Sequence, residues 1–163
     1  MRTTIRALLP GFAIAVALLL PTQGVAAADA ADGTLTYTST TFLSARGAGG
    51  NTILELTATV AYTGAFSGTS VLHGTLTFHP NGTANFHDIE TFTGTVNGAS
   101  GTVTFTLNGS SDPDLNVRAV ATIIDGTGEL AGLRGTIGET AVVIDKAVGP
   151  VGTYAGRITL AGR

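Results

Sequence analysis

Cysteine and tryptophan are both absent from the 163-residue chain. Without thiols, the sequence excludes disulfides, a thiolate nucleophile, cysteine–metal sites and a lipid-modified cysteine. Charged residues are scarce as well, at 12%. The few basic residues beyond the N-terminus are scattered: Arg46, Arg118, Arg134, Lys146, Arg157 and Arg163. Because no basic cluster can follow a phosphate backbone, we expect no nucleic-acid partner.

A long apolar run occurs once, near the N-terminus. Met1–Arg6 carries two positive charges and no acid, and residues 7–20 that follow are almost entirely apolar. The run is short for a membrane span, which needs about 20 apolar residues. A charged start, an apolar run and a small-residue exit are the parts of a secretory signal peptide. We interpret residues 1–30 as that signal peptide, with cleavage after Ala28 or Ala30.

The remaining residues, 31–163, have the length of one ordinary domain. Without Arg2 and Arg6, and counted from Asp29, the chain keeps six basic and eleven acidic residues, a net charge of about −5. This balance does not favour binding to an anionic membrane. We predict a protein secreted outside the cell or into the periplasm, with no stable membrane insertion after the signal peptide is removed.

Helical periodicity is missing from residues 31–163, and alternation with a period of two takes its place. The 25 threonines after Gly33, together with valine and isoleucine, are typical of pleated strands. Clusters of Gly, Asn, Asp and Pro separate eight alternating runs: 34–45, 52–64, 69–79, 83–96, 101–109, 116–125, 129–145 and 153–162. We predict an all-β fold, a single eight-stranded and mostly antiparallel barrel, because closure removes exposed sheet edges. A β-sandwich is the alternative.

One hairpin can be aligned residue by residue. Pro80–Gly82 fits a three-residue loop with glycine in the left-handed position, which pairs His79 with Thr83. That register gathers large apolar side chains on one face: Leu72, Leu76, Phe78, Phe86 and Phe92. The same face receives Asp88, opposite Gly74, and Glu90, opposite Leu72. The three histidines, His73, His79 and His87, fall on the outer face.

Carboxylates on an inward face are costly unless they are paired or protonated. Desolvation and mutual repulsion would raise the pKa of Asp88 or Glu90, as a general acid or base near neutral pH requires. The structural alternative is that Arg118, Arg134 or backbone amides compensate the two carboxylates. Ion-pair networks of that kind also perturb pKa values without catalysis.

Other catalytic and metal-binding patterns are weak or missing. The histidines lack the tight spacing of a metal site, and no serine lies in a G-x-S-x-G turn. The glycine-rich loop 47–50 has neither the strand-then-helix context nor the lysine of a phosphate cradle. We therefore predict no metal and no cofactor.

Two segments carry a resemblance that spans residues 66–138. The first is residues 74–96 with the turn Gly98–Gly101, and the second is the glycine-rich stretch Gly126–Gly135. They resemble an uncharacterised bacterial family, a domain of unknown function with an allene-oxide-cyclase-like barrel. Similar glycine turns occur in dirigent proteins. The resemblance implies the eight-stranded barrel and a cavity for a lipid-like or phenolic molecule, and it supplies no activity.

The sequence favours a non-catalytic secreted barrel that binds a small hydrophobic molecule in its lumen. The residues predicted to line that pocket are Phe78, Phe86, Phe92, Tyr62, Arg134 and Arg118. A cofactor-free cyclase or isomerase with Glu90 or Asp88 as acid or base is the alternative. A structural extracellular protein with a barrel filled by side chains is the third possibility.

Overall fold

The computed structural model describes residues 28–160, which form eight strands and one short 3-10 helix. The strands are β1 (Asp29–Ala48), β2 (Asn51–Gly64), β3 (Phe66–Phe78), β4 (Ala84–Val96), β5 (Ala99–Ser111), β6 (Asn116–Gly126), β7 (Arg134–Asp145) and β8 (Gly149–Thr159). The 3-10 helix is Gly128–Leu130, between β6 and β7. The all-β prediction is confirmed.

The strands pair in chain order and close on themselves. Each strand is antiparallel to its neighbours, and β8 returns to pair with β1 from Asp29 opposite Ile158 to Thr36 opposite Val151. The architecture is therefore the predicted barrel and not a sandwich. Beyond Thr36, β1 pairs only with β2, so one edge of this part of β1 is unpaired, and residues 41–50 are exposed.

The predicted signal peptide lies largely outside the described residues, which begin at residue 28. Strand β1 starts at Asp29, earlier than the alternation in the sequence indicated, and Ala31 is already fully buried. Among the residues that the structure describes, no helix is long and apolar enough to cross a membrane.

The β3–β4 hairpin has the predicted register. His79 donates its backbone N–H to the Thr83 carbonyl at 2.9 Å, and Gly82 has a positive φ of 85°. Gly74 pairs with Asp88, and Leu72 pairs with Glu90. The three-residue loop thus places both acidic side chains of β4 on the inner face of the barrel.

Strand β7 begins later than predicted, at Arg134 instead of residue 129. The glycines around this segment bend the chain, with φ of 64° at Gly128 and 83° at Gly132, values that favour glycine. The Glu129 carboxylate accepts the Ser100 backbone N–H at 2.8 Å and holds the turn against β5. This turn directs Leu130 and Leu133 into the barrel, where both are fully buried.

The two ends of the barrel differ in how they are filled. The end that carries the β2–β3, β4–β5 and β6–β7 turns, here called the closed end, contains a cluster of five rings: Tyr62, Phe66, Phe92, Phe105 and Tyr154. Their centroids lie 5.3–6.3 Å apart, in tilted or edge-to-face pairs. The opposite end, here called the open end, carries the other four hairpins and leads into a cavity.

Candidate functional site

A cavity of about 320 Å³ occupies the open end of the barrel. Its lining residues come from all eight strands and are mostly apolar, with Asp88 the one acidic group among them. Its lining includes Tyr37, Phe42, Leu56, Leu72, Leu76, Phe78, Phe86, Val117 and Val143. A concave apolar site with one convergent polar group is the usual form of a small-molecule pocket.

Asp88 lies on the inner face of β4, and its side chain is only 4% exposed. Its Oδ1 atom occupies the space that a Cβ would need at Gly74, so the glycine on β3 makes room for the carboxyl. Within the described part of the chain, this Oδ1 is buried without a hydrogen-bond partner. Burial, with the charge of Glu90 as the second cause, raises the pKa of Asp88 to about 7.

Glu90, two residues further along β4, is held by donors and does not line the cavity. The Tyr62 hydroxyl donates to Glu90 Oε1 at 2.9 Å, and the Ser70 hydroxyl donates to the same oxygen. Burial raises the pKa of Glu90, and the two hydroxyl donors counteract part of that effect. The carboxyl therefore belongs to a buried network that links β2, β3 and β4.

A third inward carboxyl, Glu139 on β7, was not among the predicted site residues. It is 7% exposed, and the Tyr62 hydroxyl lies 3.4 Å from its Oε1. Burial first, and the charge of Glu90 second, raise its pKa to about 8. The alternation of buried Ile137, Glu139 and Ala141 was the signal that could have found it.

The two arginines predicted to line the pocket do not face the lumen. Arg118 is exposed between the inward residues Val117 and Ala119, because successive side chains of a strand point to opposite faces. Arg134 is also exposed, and its guanidinium donates to the Leu133 carbonyl at 2.7 Å. Neither arginine therefore compensates Asp88 or Glu90, as the structural alternative required.

The four predicted aromatic residues divide between the two ends. Phe78 and Phe86 line the cavity, whereas Tyr62 and Phe92 are buried in the ring cluster of the closed end. The strand register places all four inside the barrel, and only the position along each strand decides which end they fill. The Tyr62 hydroxyl extends from this ring cluster to the buried carboxyls of Glu90 and Glu139.

Two of the three outer-face histidines contact amide side chains. His79 Nδ1 lies 3.1 Å from Asn51 Oδ1, and His87 Nδ1 lies 2.8 Å from Asn108 Oδ1. Within residues 28–160, no group of three or more histidine, aspartate or glutamate side chains is arranged to hold a metal ion.

Residues 31–146 match the model of a family described as a protein of unknown function, DUF3224. No curated protein matches the chain. A solved structure from the same family, a protein of unknown function from Shewanella oneidensis MR-1, is similar with a TM-score of 0.66 and 19% identity. The match covers 82% of this chain and 98% of that one.

Two further solved structures, the pterocarpan synthase dirigent proteins PsPTS1 and GePTS1, are similar at lower scores. PsPTS1 has a TM-score of 0.52 and 13% identity, over 84% of this chain and 97% of its own. GePTS1 has a TM-score of 0.51 and 12% identity, over 90% of this chain and 96% of its own. At these identities the likeness shows a shared fold.

Proposed function

From the premise that this chain belongs to the DUF3224 family of proteins of unknown function, we propose that it binds a small apolar or phenolic, lipid-like molecule in its lumen. The observation that carries the proposal is the cavity of about 320 Å³ at the open end, with apolar walls and one unpartnered carboxyl. This volume falls at the lower end of the range for ligand pockets, about 300–1,000 Å³. A purely structural role would not account for such a cavity.

Native mass spectrometry of the protein purified from its own culture medium tests the proposal directly. A co-purifying small molecule of constant mass is the expected result. Titration with a hydrophobic fluorescent dye supplies a second measurement that does not depend on the natural ligand.

A matched pair of variants assigns the binding to the cavity. Leu76→Trp fills the cavity from its wall, whereas Val120→Trp adds the same side chain on the exposed outer face of β6. We expect the first variant to abolish dye binding and the second to preserve it. Equal dye binding by both variants would show that the dye does not occupy the lumen, and the proposal would fail.

We also propose that the chain is secreted, with cleavage after Ala28 in preference to Ala30. Cleavage after Ala28 leaves β1 intact from Asp29, which pairs with Ile158. Cleavage after Ala30 would remove two residues that pair with β8. N-terminal sequencing of the secreted protein should read Asp-Ala-Ala-Asp, and a protein retained with Met1 would overturn both parts of the proposal.

A second candidate function is a cofactor-free cyclase or isomerase with Asp88 as the acid or base. The observation in its favour is a carboxyl with a pKa of about 7 that lines a cavity. Glu90 fits this role less well, because Tyr62 and Ser70 already hold it. Incubation of the co-purified molecule with the wild-type protein and with Asp88→Asn separates the functions: product formed only by the wild type indicates an enzyme, and an unchanged molecule indicates a binding protein.

A further inference from the structure

The inward-facing charges of the barrel are all of one sign. Asp88, Glu90 and Glu139 are buried on inner faces of β4 and β7. Among residues 28–160 the arginines and the lysine are all exposed. Lys146 lines the rim of the cavity, in the turn between β7 and β8, where solvent screens its charge. Once these carboxyls ionise, the lumen therefore favours a bound cation and repels a bound anion.

The three carboxyls are not equally available to a ligand. Glu90 and Glu139 share the Tyr62 hydroxyl, and neither lines the cavity. Asp88 lines the cavity and has a buried oxygen without a partner. That oxygen, Oδ1, is closed off by Gly74, so a ligand in the cavity would donate to the other oxygen of the carboxyl. A charged donor there would stabilise the poorly solvated carboxylate and therefore the complex.

Aromatic rings form part of the same wall. Tyr37, Phe42, Phe78 and Phe86 come from three different strands and line the cavity together with Asp88. The face of an aromatic ring attracts an organic cation, and the attraction strengthens when water is excluded. The Asp88 carboxyl can bind a positively charged amine, and the aromatic rings that line the same cavity can pack against an apolar body.

Resting on the proposed function, we propose that the bound molecule is a small organic amine whose ammonium group is held by Asp88 and whose apolar body packs against the aromatic walls. A neutral hydroxyl could donate to Asp88 but would leave the charge of the lumen uncompensated. A carboxylate would add a further negative charge to it. The expected order of affinity is therefore amine, then alcohol, then carboxylate.

The proposal also predicts how binding depends on pH. Asp88 must be ionised to hold an ammonium group, and its pKa is about 7 in the protein without ligand. The other titratable groups around it are Glu90, Glu139 and Tyr37 in the lumen, Lys146 at the rim and His87 on the outer face of β4. Amine affinity should increase from pH 6 to pH 8, since simple amines stay protonated up to about pH 10.

Isothermal titration at pH 8 with three probes of equal size tests the inference: 2-phenylethylamine, 2-phenylethanol and phenylacetate. We expect the amine to bind about tenfold more tightly than the alcohol, because a charged hydrogen bond replaces a neutral one. We expect no measurable binding of phenylacetate. Asp88→Asn should reduce the preference for the amine to about twofold or less, and Asp125→Asn, at an exposed acid on β6, should leave it unchanged.

The outcomes separate this inference from the proposed function. If the alcohol or the carboxylate binds as tightly as the amine, the amine inference is wrong and the binding function stands. If none of the probes binds and the cavity-filling variant Leu76→Trp does not alter dye binding, the proposed function fails as well. Should Asp88→Asn fail to fold, the wild-type pH series decides: amine affinity that does not increase from pH 6 to pH 8 overturns the inference.

Discussion

The closed and open ends of this barrel are built from the same eight strands but are filled differently. At the closed end, Leu130 and Leu133 enter from the β6–β7 turn and pack below the ring cluster. The Tyr154 hydroxyl accepts the Phe66 backbone N–H at 2.8 Å and donates to the Thr63 carbonyl at 2.9 Å. No described turn enters the open end in this way, and a cavity remains. The inward alternation of the strands is common to both ends, so the difference comes from the connections.

The carboxyls mark the boundary between the two ends. Glu90 and Glu139 meet the hydroxyl of Tyr62, a member of the ring cluster, whereas Asp88 meets the cavity. Inward-facing carboxyls therefore serve two purposes in this barrel, and on β4 the two purposes are only two residues apart. Glu90 and Glu139 belong to a buried hydrogen-bond network with Tyr62, whereas Asp88 lines the cavity.

The largest expected effect comes from removing a ring at the closed end. Phe66→Ala should lower the free energy of unfolding by about 3–5 kcal/mol, because Phe66 is fully buried against four other rings. Phe78→Ala, at the rim of the open end, should cost about 1 kcal/mol or less because that ring is partly exposed. Urea denaturation measures both values. Similar losses in the two variants would mean that the ends are packed alike.

The next effect is a loss of stability as the pH rises. In the unfolded chain these carboxyls ionise near pH 4, whereas the folded protein keeps a proton on Asp88 until about pH 7 and on Glu139 until about pH 8. The folded state thus binds more protons than the unfolded state between about pH 4 and 8, and stability decreases through that window. We expect a decrease on the order of 4 kcal/mol between pH 6 and pH 8, because Asp88 contributes about one pH unit and Glu139 about two, at about 1.4 kcal/mol per unit.

Asp88→Asn provides the control for this pH effect. The variant should flatten the decrease, because one of the late-ionising groups is gone, and thermal unfolding at several pH values measures the slope. Asp125→Asn, at an exposed site, should keep the wild-type slope. A slope unchanged in Asp88→Asn would mean that this carboxyl ionises as readily in the folded chain as in the unfolded one.

Tyr62→Phe tests the contribution of the hydroxyl that joins the ring cluster to Glu90 and Glu139. The variant removes the hydroxyl that donates to Glu90 and lies near Glu139, and leaves a buried carboxyl short of a donor. We expect a loss of about 1–3 kcal/mol in the free energy of unfolding, with a greater loss at high pH. Tyr37→Phe, at the cavity wall, is the matched control and should change stability by less. An equal loss in both variants would contradict a specific role for the Tyr62 hydroxyl.

The smallest effect is expected on the outside of the barrel. Arg118→Ala should change the free energy of unfolding by less than about 0.5 kcal/mol and leave dye binding unchanged, because Arg118 is exposed. Loss of binding in this variant would show that the arginine reaches the lumen in solution. That result would restore the ion-pair alternative for Asp88 and Glu90.

Much of the β3–β4 region was predictable because two independent signals agree there. The Pro80–Gly82 loop sets the hairpin register, and the same register buries the apolar residues of both strands. The inward direction of Asp88 and Glu90 follows from that agreement. The outward direction of Arg118 was also readable from its apolar neighbours Val117 and Ala119.

The glycine-rich segment between β6 and β7 was harder to interpret. Its glycines indicated a turn, but they did not reveal that Gly128–Leu130 forms a 3-10 helix which sends Leu130 inward. Local alternation around Ile137 and Ala141 indicated the inward direction of Glu139, but an isolated acid on a strand has no local partner that marks it as part of a site.

By itself, the sequence determined the strands, the order in which neighbouring hairpins pair and the face on which most side chains lie, because alternation and turn geometry are local properties. Only the tertiary structure decided that one end is closed and the other open, that Tyr62 joins Glu90 to Glu139, and that Asp88 is the carboxyl at the cavity. These relations connect residues on strands up to 77 positions apart. They depend on how the sheet curls when β8 meets β1, which no local pattern specifies.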